Sequence, residues 1–409
     1  MNPSNPSAGA TSKKRVLTNR RHLRAQAQSS TRMGQWDHVL FGLVLLLLGF
    51  GLLSLYSASA NQAQLESGNS LAFVTKQSIA AVAGLMGLWV ASNMKLVFWQ
   101  RLATPFSLGV IGLLILTLAI GKTANGSERW ISLPVIGQFQ PSELAKFAVV
   151  LLLAKSLRME KRLSMDLLGS LALIAVMMGL ILKQPNLSIT LLLGTLTAVM
   201  LFLGRWPIWL YVLAAPVAGY VVYQKIMATE YQRRRIVGWL DPWGDAQDTG
   251  YNLVQSYFAI GSGGWAGVGY GQSIQKLFYL PFPYTDFIFS VICEEWGFVG
   301  AALLVCAFGA LAWRGYRIAL RCPVYYGKML AFGITTVIIA QAIINICVTV
   351  GLFPVTGVTL PLISYGGTSL AVTLGMLGVL LGVSKVHRPP SALGDSDPFS
   401  TPENRRMAR

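Results

Sequence analysis

Histidine and cysteine are both scarce in this sequence. Its three histidines, His22, His38 and His387, stand far from one another and from other polar clusters, which leaves no histidine-based triad or metal centre. Its four cysteines, Cys293, Cys306, Cys322 and Cys347, show no CxxC spacing, and three lie in apolar runs. Neither a disulfide framework nor a zinc site is indicated. Charge is equally thin: 12% of the 409 residues are charged and 54% are hydrophobic, about half the charged share of an ordinary soluble domain. A soluble protein is excluded. Phosphate-loop patterns also fail, because the Gly121-Lys122 pair has Leu116 where a glycine is required. The run Gly261 to Gly271 never spells GxGxxG and follows no strand, so a dinucleotide fold is ruled out. That run reads as a flexible re-entrant turn or as a backbone anion nest.

What the sequence does hold is a series of long apolar runs. They occupy roughly 39–55, 72–92, 101–120, 142–158, 166–183, 187–204, 207–227, 287–313, 328–352 and 364–385. Each approaches the ~20 residues needed to cross a hydrocarbon core, where helix is the conformation that satisfies its own backbone. The expectation is an all-α, polytopic integral membrane protein with ten transmembrane helices. Residues 1–36 form a basic, polar tail with too little apolar surface to fold alone, and 387–409 a second tail. The first apolar run is longer than a signal-peptide core, so it reads as a retained anchor, although Ala58, Ser59 and Ala60 resemble a cleavage site.

The net charge of +17 acquires its meaning from position. Basic residues gather in the tail and in every second inter-span segment: Lys95 and Arg101; Lys155, Arg158, Lys161 and Arg162; Arg205; Arg314, Arg317, Arg321 and Lys328. The positive-inside rule then sets both termini in the cytoplasm. The excess charge is a topology signal, and nucleic acid is not an expected partner. Two outward loops are long, 121–141 and 228–285, the second lying between helices 7 and 8. Within it, Tyr251 to Ile260 has the mixed pattern of an interfacial helix.

Sixteen carboxylates are few enough to audit. Asp37, Glu160, Asp166, Asp395, Asp397 and Glu403 fall at cytoplasmic ends, and Glu66, Glu128, Glu230, Asp241, Asp245 and Asp248 in outer loops, all read as solvated charges. Glu143, Asp286, Glu294 and Glu295 adjoin apolar runs, where an ionisable group is costly. Asp286, in LPFPYTDFIFSV, is placed at the outer lip of a span, in the first turn of a helix capped by Thr285. It serves there as a helix-capping charge or as a functional carboxylate. Glu294 and Glu295 lie ~12–13.5 Å further along that helix, too far to pair with Asp286 across one bond. Their expected role is a polar network between helices. Glu143 and Lys146, at i,i+3, suit an ion pair or a substrate contact. With Arg129, Trp130, Arg233 to Arg235 and Lys276, these residues outline an outer-face site in which cations exceed acids, suited to a lipid-linked phosphate.

Three blocks, GSERWISLPVIGQFQPSELAKF, GYNLVQSYFAIGSGGWAGVGYGQSIQKLFYLPFPYTDFIF and FPVTGVTLPLISYGGTS, resemble the SEDS (FtsW/RodA) family of peptidoglycan glycosyltransferases. The resemblance covers nearly all of 37–386, and SIQKLFYLP is nearer to the division branch than to the elongation branch. It implies polymerisation of lipid II at the outer face of the bacterial plasma membrane, at the septum, with undecaprenyl diphosphate leaving. It also implies a class B penicillin-binding protein and other divisome membrane proteins as partners. The aspartate of TDFIF, here Asp286, becomes the base that orients the attacking hydroxyl. Arg129, Lys146 and Lys276 become diphosphate or cavity contacts, and Ser364, Tyr365, Gly366, Gly367 and Ser369 cavity lining or close helix packing. Two blocks depart from the family. PFPYTDFIF lacks the usual Glu and His, and Gln184 to Ser188 lacks an aspartate. One carboxylate remains for a divalent cation, Mg or Mn. An elongation enzyme, a lipid II flippase and a non-catalytic scaffold are the competing readings.

Overall fold

The computed structural model describes residues 32–120, 122–124, 127–133, 137–157 and 164–387. The tails 1–31 and 388–409 lie outside the described residues, as do the side chains of 120–129 and 132–137. Each of the ten apolar runs forms a helix: α1 (His38–Ser67), α2 (Ala72–Asn93), α3 (Leu96–Ile120), α4 (Pro141–Ser156), α5 (Met165–Lys183), α6 (Leu187–Leu203) and α7 (Ile208–Ala228), then α10 (Ile288–Arg321), α11 (Tyr325–Thr349) and α12 (Gly367–Ser384). Eight of these are long and apolar enough to cross a membrane; α4 and α6, at 16 and 17 residues, are shorter. The protein is a mostly helical, multi-pass membrane protein.

Two of the segments between the long helices are themselves structured. Residues 122–139 hold a three-stranded antiparallel sheet, β2 (Lys122–Ala124), β3 (Ser127–Leu133) and β4 (Gly137–Phe139), which the loop reading did not anticipate. The long segment after α7 contains α8 (Glu230–Leu240) and α9 (Tyr251–Gly263), the latter forming a helix where Tyr251 to Ile260 predicted one. One face of α9 buries Leu253, Val254 and Ala259, and Ser256 bonds Ser290 and the Thr349 carbonyl at 2.6 and 2.7 Å.

At one end of the bundle, β1 (Arg32–Met33) pairs antiparallel with β5 (Val386–His387), so the two described chain ends meet. Asp37 caps α1 through the Leu40 amide at 2.9 Å and accepts Arg314 at 2.6 Å. Its own amide donates to Ser384 Oγ at 3.2 Å. The reading of Asp37 as a solvated charge is therefore corrected: both side chains of the pair are largely covered. At the other end, Ser364 Oγ donates to the Thr285 carbonyl at 2.6 Å and the Tyr365 amide to the Tyr284 carbonyl at 2.9 Å.

These two sets of ties dictate the shape of α10. The 18 residues of α12 bridge them. A straight α10, counted only as far as Arg314, would overshoot α12 by about 13 Å at 1.5 Å per residue. It cannot be straight, and Gly297, at φ 65° and ψ −167°, breaks it. Glycine takes that conformation without steric penalty. A Cβ there would also stand 2.3 Å from the Gly267 nitrogen, so the break and the loop fit back to back. The break follows Glu294 and Glu295, which stay on the half-helix Ile288 to Trp296 that begins at the site.

The core gathers around α4, buried nearly all round, and α11. Close crossings use glycine: Gly378 faces the Leu88 backbone and Gly84 faces Leu374, locking α2 to α12. By contrast, α7 buries no residue within the chain.

Candidate functional site

The segment between α11 and α12 runs as an irregular strap, 351–366, over the end of the bundle opposite the Asp37–Arg314 pair. It is fixed from below by two amides one turn apart on α11. Asn345 Nδ2 donates to the carbonyls of Asp286 and Val358, each at 2.8 Å. Gln341 Nε2 donates to the Thr359 carbonyl at 2.9 Å, while its Oε1 accepts Lys146 Nζ at 2.5 Å. Lys146 also donates to Glu143 at 2.6 Å, which bears out the expected i,i+3 ion pair. One helix face therefore connects Lys146, the strap and the backbone of Asp286.

Asp286 lies outside the regular helix, correcting its first-turn placement. The N-cap of α10 is Phe287, without a side-chain cap, and Thr285 Oγ1 donates backwards to the Phe282 carbonyl at 3.2 Å. The turn before it is tight: Phe278 and Phe282 have φ of 70° and 53°, left-handed conformations of a kind that cluster at functional sites. Asp286 is half-buried, and its Oδ2 faces the exposed Gly357, being 3.7 Å from where a Cβ would stand.

The remaining predicted residues divide into four groups. Ser364, Tyr365, Gly366, Gly367 and Ser369 do come to the site: Ser364 holds Thr285, and Gln77 bonds both the Ser364 carbonyl and the Gly366 amide at 3.1 Å. Ser369 Oγ lies 3.3 Å from Thr359 Oγ1. Lys276 belongs to a separate buried cluster, donating to Glu295 at 2.7 Å and Ser57 at 2.8 Å, with Ser57 also donating to Glu295 at 2.5 Å. Glu294 holds the preceding loop through Ser273 Oγ at 2.5 Å and the Ile274 amide at 2.9 Å. These are the predicted polar networks: Ser57 to Glu295 joins α1 to α10, and the other bonds join loop to helix. Trp130 and Arg129 lie on β3; the side chain of Arg129 lies outside the described residues. Arg234 pairs with Asp248 on the exposed surface, and Arg235 covers the Tyr231 ring at 4.3 Å.

Sequence reasoning missed Gln77, Gln341, Asn345 and Tyr284. The available signal was a buried amide within an apolar run, since such groups must find partners. Tyr284 packs with Phe73 and Tyr365, at ring centroids of 4.9 and 5.9 Å. Burial, aided by the Glu66 charge and Tyr365, pushes its hydroxyl up to about 12, so it remains a protonated donor beside the site.

Among the described residues, no group of three His, Cys, Asp or Glu side chains could hold a metal ion. With one carboxylate at the site, the protein side chains do not make a cation cage by themselves.

Comparison with known proteins agrees with this arrangement. Residues 37–389 match the family described as cell cycle protein, the grouping of FtsW, RodA and SpoVE. The chain is 38% identical over 360 residues to a probable peptidoglycan glycosyltransferase FtsW of Geobacter sulfurreducens, covering 86% of this chain and 95% of that one. It is also 38% identical over 368 residues to the stage V sporulation protein E of Bacillus subtilis, covering 88% and 100%. Among solved structures, a chain from work on polymerization and crosslinking by a peptidoglycan synthase complex aligns at TM-score 0.72 and 31% identity, over 85% of this chain and 97% of that one. The rod shape determining protein RodA of Thermus thermophilus aligns at TM-score 0.63 and 30% identity, over 85% and 96%.

Proposed function

This chain belongs to the cell cycle protein family of FtsW, RodA and SpoVE, and from that premise we propose that it is a peptidoglycan glycosyltransferase of the FtsW type. It polymerises lipid II at the outer face of the bacterial plasma membrane during septal wall synthesis. One observation carries the reading: Asp286 is held by its backbone, while its carboxylate faces the open side of the strap at the end of the bundle away from the Asp37–Arg314 pair.

In the reaction, the 4-hydroxyl of the incoming sugar hands its proton to Asp286. Its oxygen bonds to the anomeric carbon of the lipid-linked chain, and the bond to diphosphate breaks, the electron pair leaving with undecaprenyl diphosphate. A base in this role must stand within hydrogen-bond reach of that hydroxyl. Lys146, with 0% of its side chain exposed, supports this as a positioning residue behind the strap, and direct diphosphate contact by it is not supported. Lys276, likewise buried against Glu295, anchors the loop that leads to Asp286. The site does not fit a divalent cation held by side chains alone, and no step is drawn through one. A class B penicillin-binding protein and other divisome membrane proteins are its proposed partners, the first supported by the relative whose complex joins polymerization to crosslinking.

The test is a purified Asp286→Asn variant given labelled lipid II in detergent. Glycan ladders should vanish while the melting temperature holds. Ladders formed at the parent rate would remove Asp286 as the base, and detergent-formed ladders from the parent protein separate a polymerase from a flippase.

A further inference from the structure

We propose that Gly357 is the residue that admits the attacking hydroxyl to Asp286, and that what the site uses there is the absence of a side chain. This rests on Asp286 being the base. Two ordinary reasons for glycine do not apply at this position. Its backbone is outside the left-handed region, so any residue could adopt it. Packing does not demand it either, since among the described residues, its chain neighbours aside, the space a Cβ would enter holds a single atom within 4 Å, Asp286 Oδ2 at 3.7 Å. Nearby glycines behave differently: a Cβ at Gly351 would strike the Tyr257 hydroxyl, and one at Gly263 the Cys293 carbonyl.

The opening is also held in register. Asn345 is buried and bonds the carbonyl of Asp286 and that of Val358, the residue after Gly357, at 2.8 Å each. Strap and carboxylate therefore cannot slide past each other without breaking a buried bond. On the inner side, Asn345 Oδ1 and Thr356 Oγ1 are buried with no hydrogen-bond partner among the described residues. A hydroxyl delivering its proton must come within about 2.6–3.2 Å of the carboxylate oxygen. A methyl carbon 3.7 Å from that same oxygen would occupy the approach while touching nothing else.

The experiment uses the full-length protein in detergent with lipid II, comparing Gly357→Ala and Gly357→Val with Asp286→Asn. Both glycine variants should melt with the parent. Polymerisation should fall about tenfold in Gly357→Ala and about a hundredfold in Gly357→Val, the loss in kcat rather than KM, as expected when reacting groups are held apart. Parent rates in both would overturn the proposal and leave the base assignment standing if Asp286→Asn is inactive. An active Asp286→Asn would remove the base assignment itself. Should either glycine variant melt early, Gly357→Cys decides. A small methanethiosulfonate should label it, lipid II should block the labelling, and labelling undiminished by lipid II would overturn the proposal.

Discussion

Lys146 touches no solvent and keeps two partners, Glu143 at 2.6 Å and Gln341 at 2.5 Å. Removing one member of a buried ion pair strands the other charge, at a cost of about 3–5 kcal/mol, whereas replacing both is far milder. Glu143→Gln and Lys146→Met should each lower the melting temperature markedly, and the double variant should recover most of the loss. Polymerisation should stay low in the double variant if Gln341, deprived of its partner, lets the strap shift. Additive melting losses would show that the two charges act independently. The Glu143–Lys146 pair was legible because i,i+3 spacing on a helix fixes which side chains meet. The partners of Gln341, Asn345 and Gln77 were not legible: apart from Lys146, which donates to Gln341, they belong to irregular segments, which have no periodicity to read.

Helix α10 shows what an element inherits from its surroundings. Its apolar length was visible, but a run of hydrophobic residues does not say where a helix bends. Gly297 needs both its positive φ and its missing side chain, because a Cβ would meet the Gly267 nitrogen at 2.3 Å and the Trp265 carbonyl at 2.6 Å. Gly49 and Gly109 also lie inside helices, yet a Cβ at either would meet nothing within 4 Å. Gly297→Ala should therefore lower the melting temperature and lose polymerisation, since its loop leads to Asp286. Gly49→Ala and Gly109→Ala should hold or gain by about 0.5–1 kcal/mol. Equal effects at all three positions would mean that the break is not required. The Gly261 to Gly271 run was readable as a turn; that it backs onto Gly297 was not, because the partners are far apart in sequence. The sheet at 122–139 had a signal that went unused, Trp130 and Ile131 flanked by Gly126 and Pro134.

For the whole molecule, hydropathy was enough to find a helix in each of the ten apolar runs, eight of them long enough to span, because lipid forces an apolar run to satisfy its own backbone. Orientation depends on a different physical fact, the retention of lysine and arginine on the cytoplasmic side. The structure gathers Asp37, Arg314, Ser384 and the β1–β5 pair at one end, and Asp286 with the strap at the other. Arg321, at the end of α10, and Gln64, in the last turn of α1 and so at the end away from Asp37, are both exposed and mark these two ends. In a chain whose four cysteines are replaced by alanine, Gln64→Cys should react with an impermeant maleimide added to intact spheroplasts. Arg321→Cys should react only in inverted vesicles. The reverse pattern would put Asp286 on the cytoplasmic side, where an acceptor glycan outside the cell could not reach it. A base role in outer-face polymerisation would then be untenable, however well the local geometry suits a proton transfer.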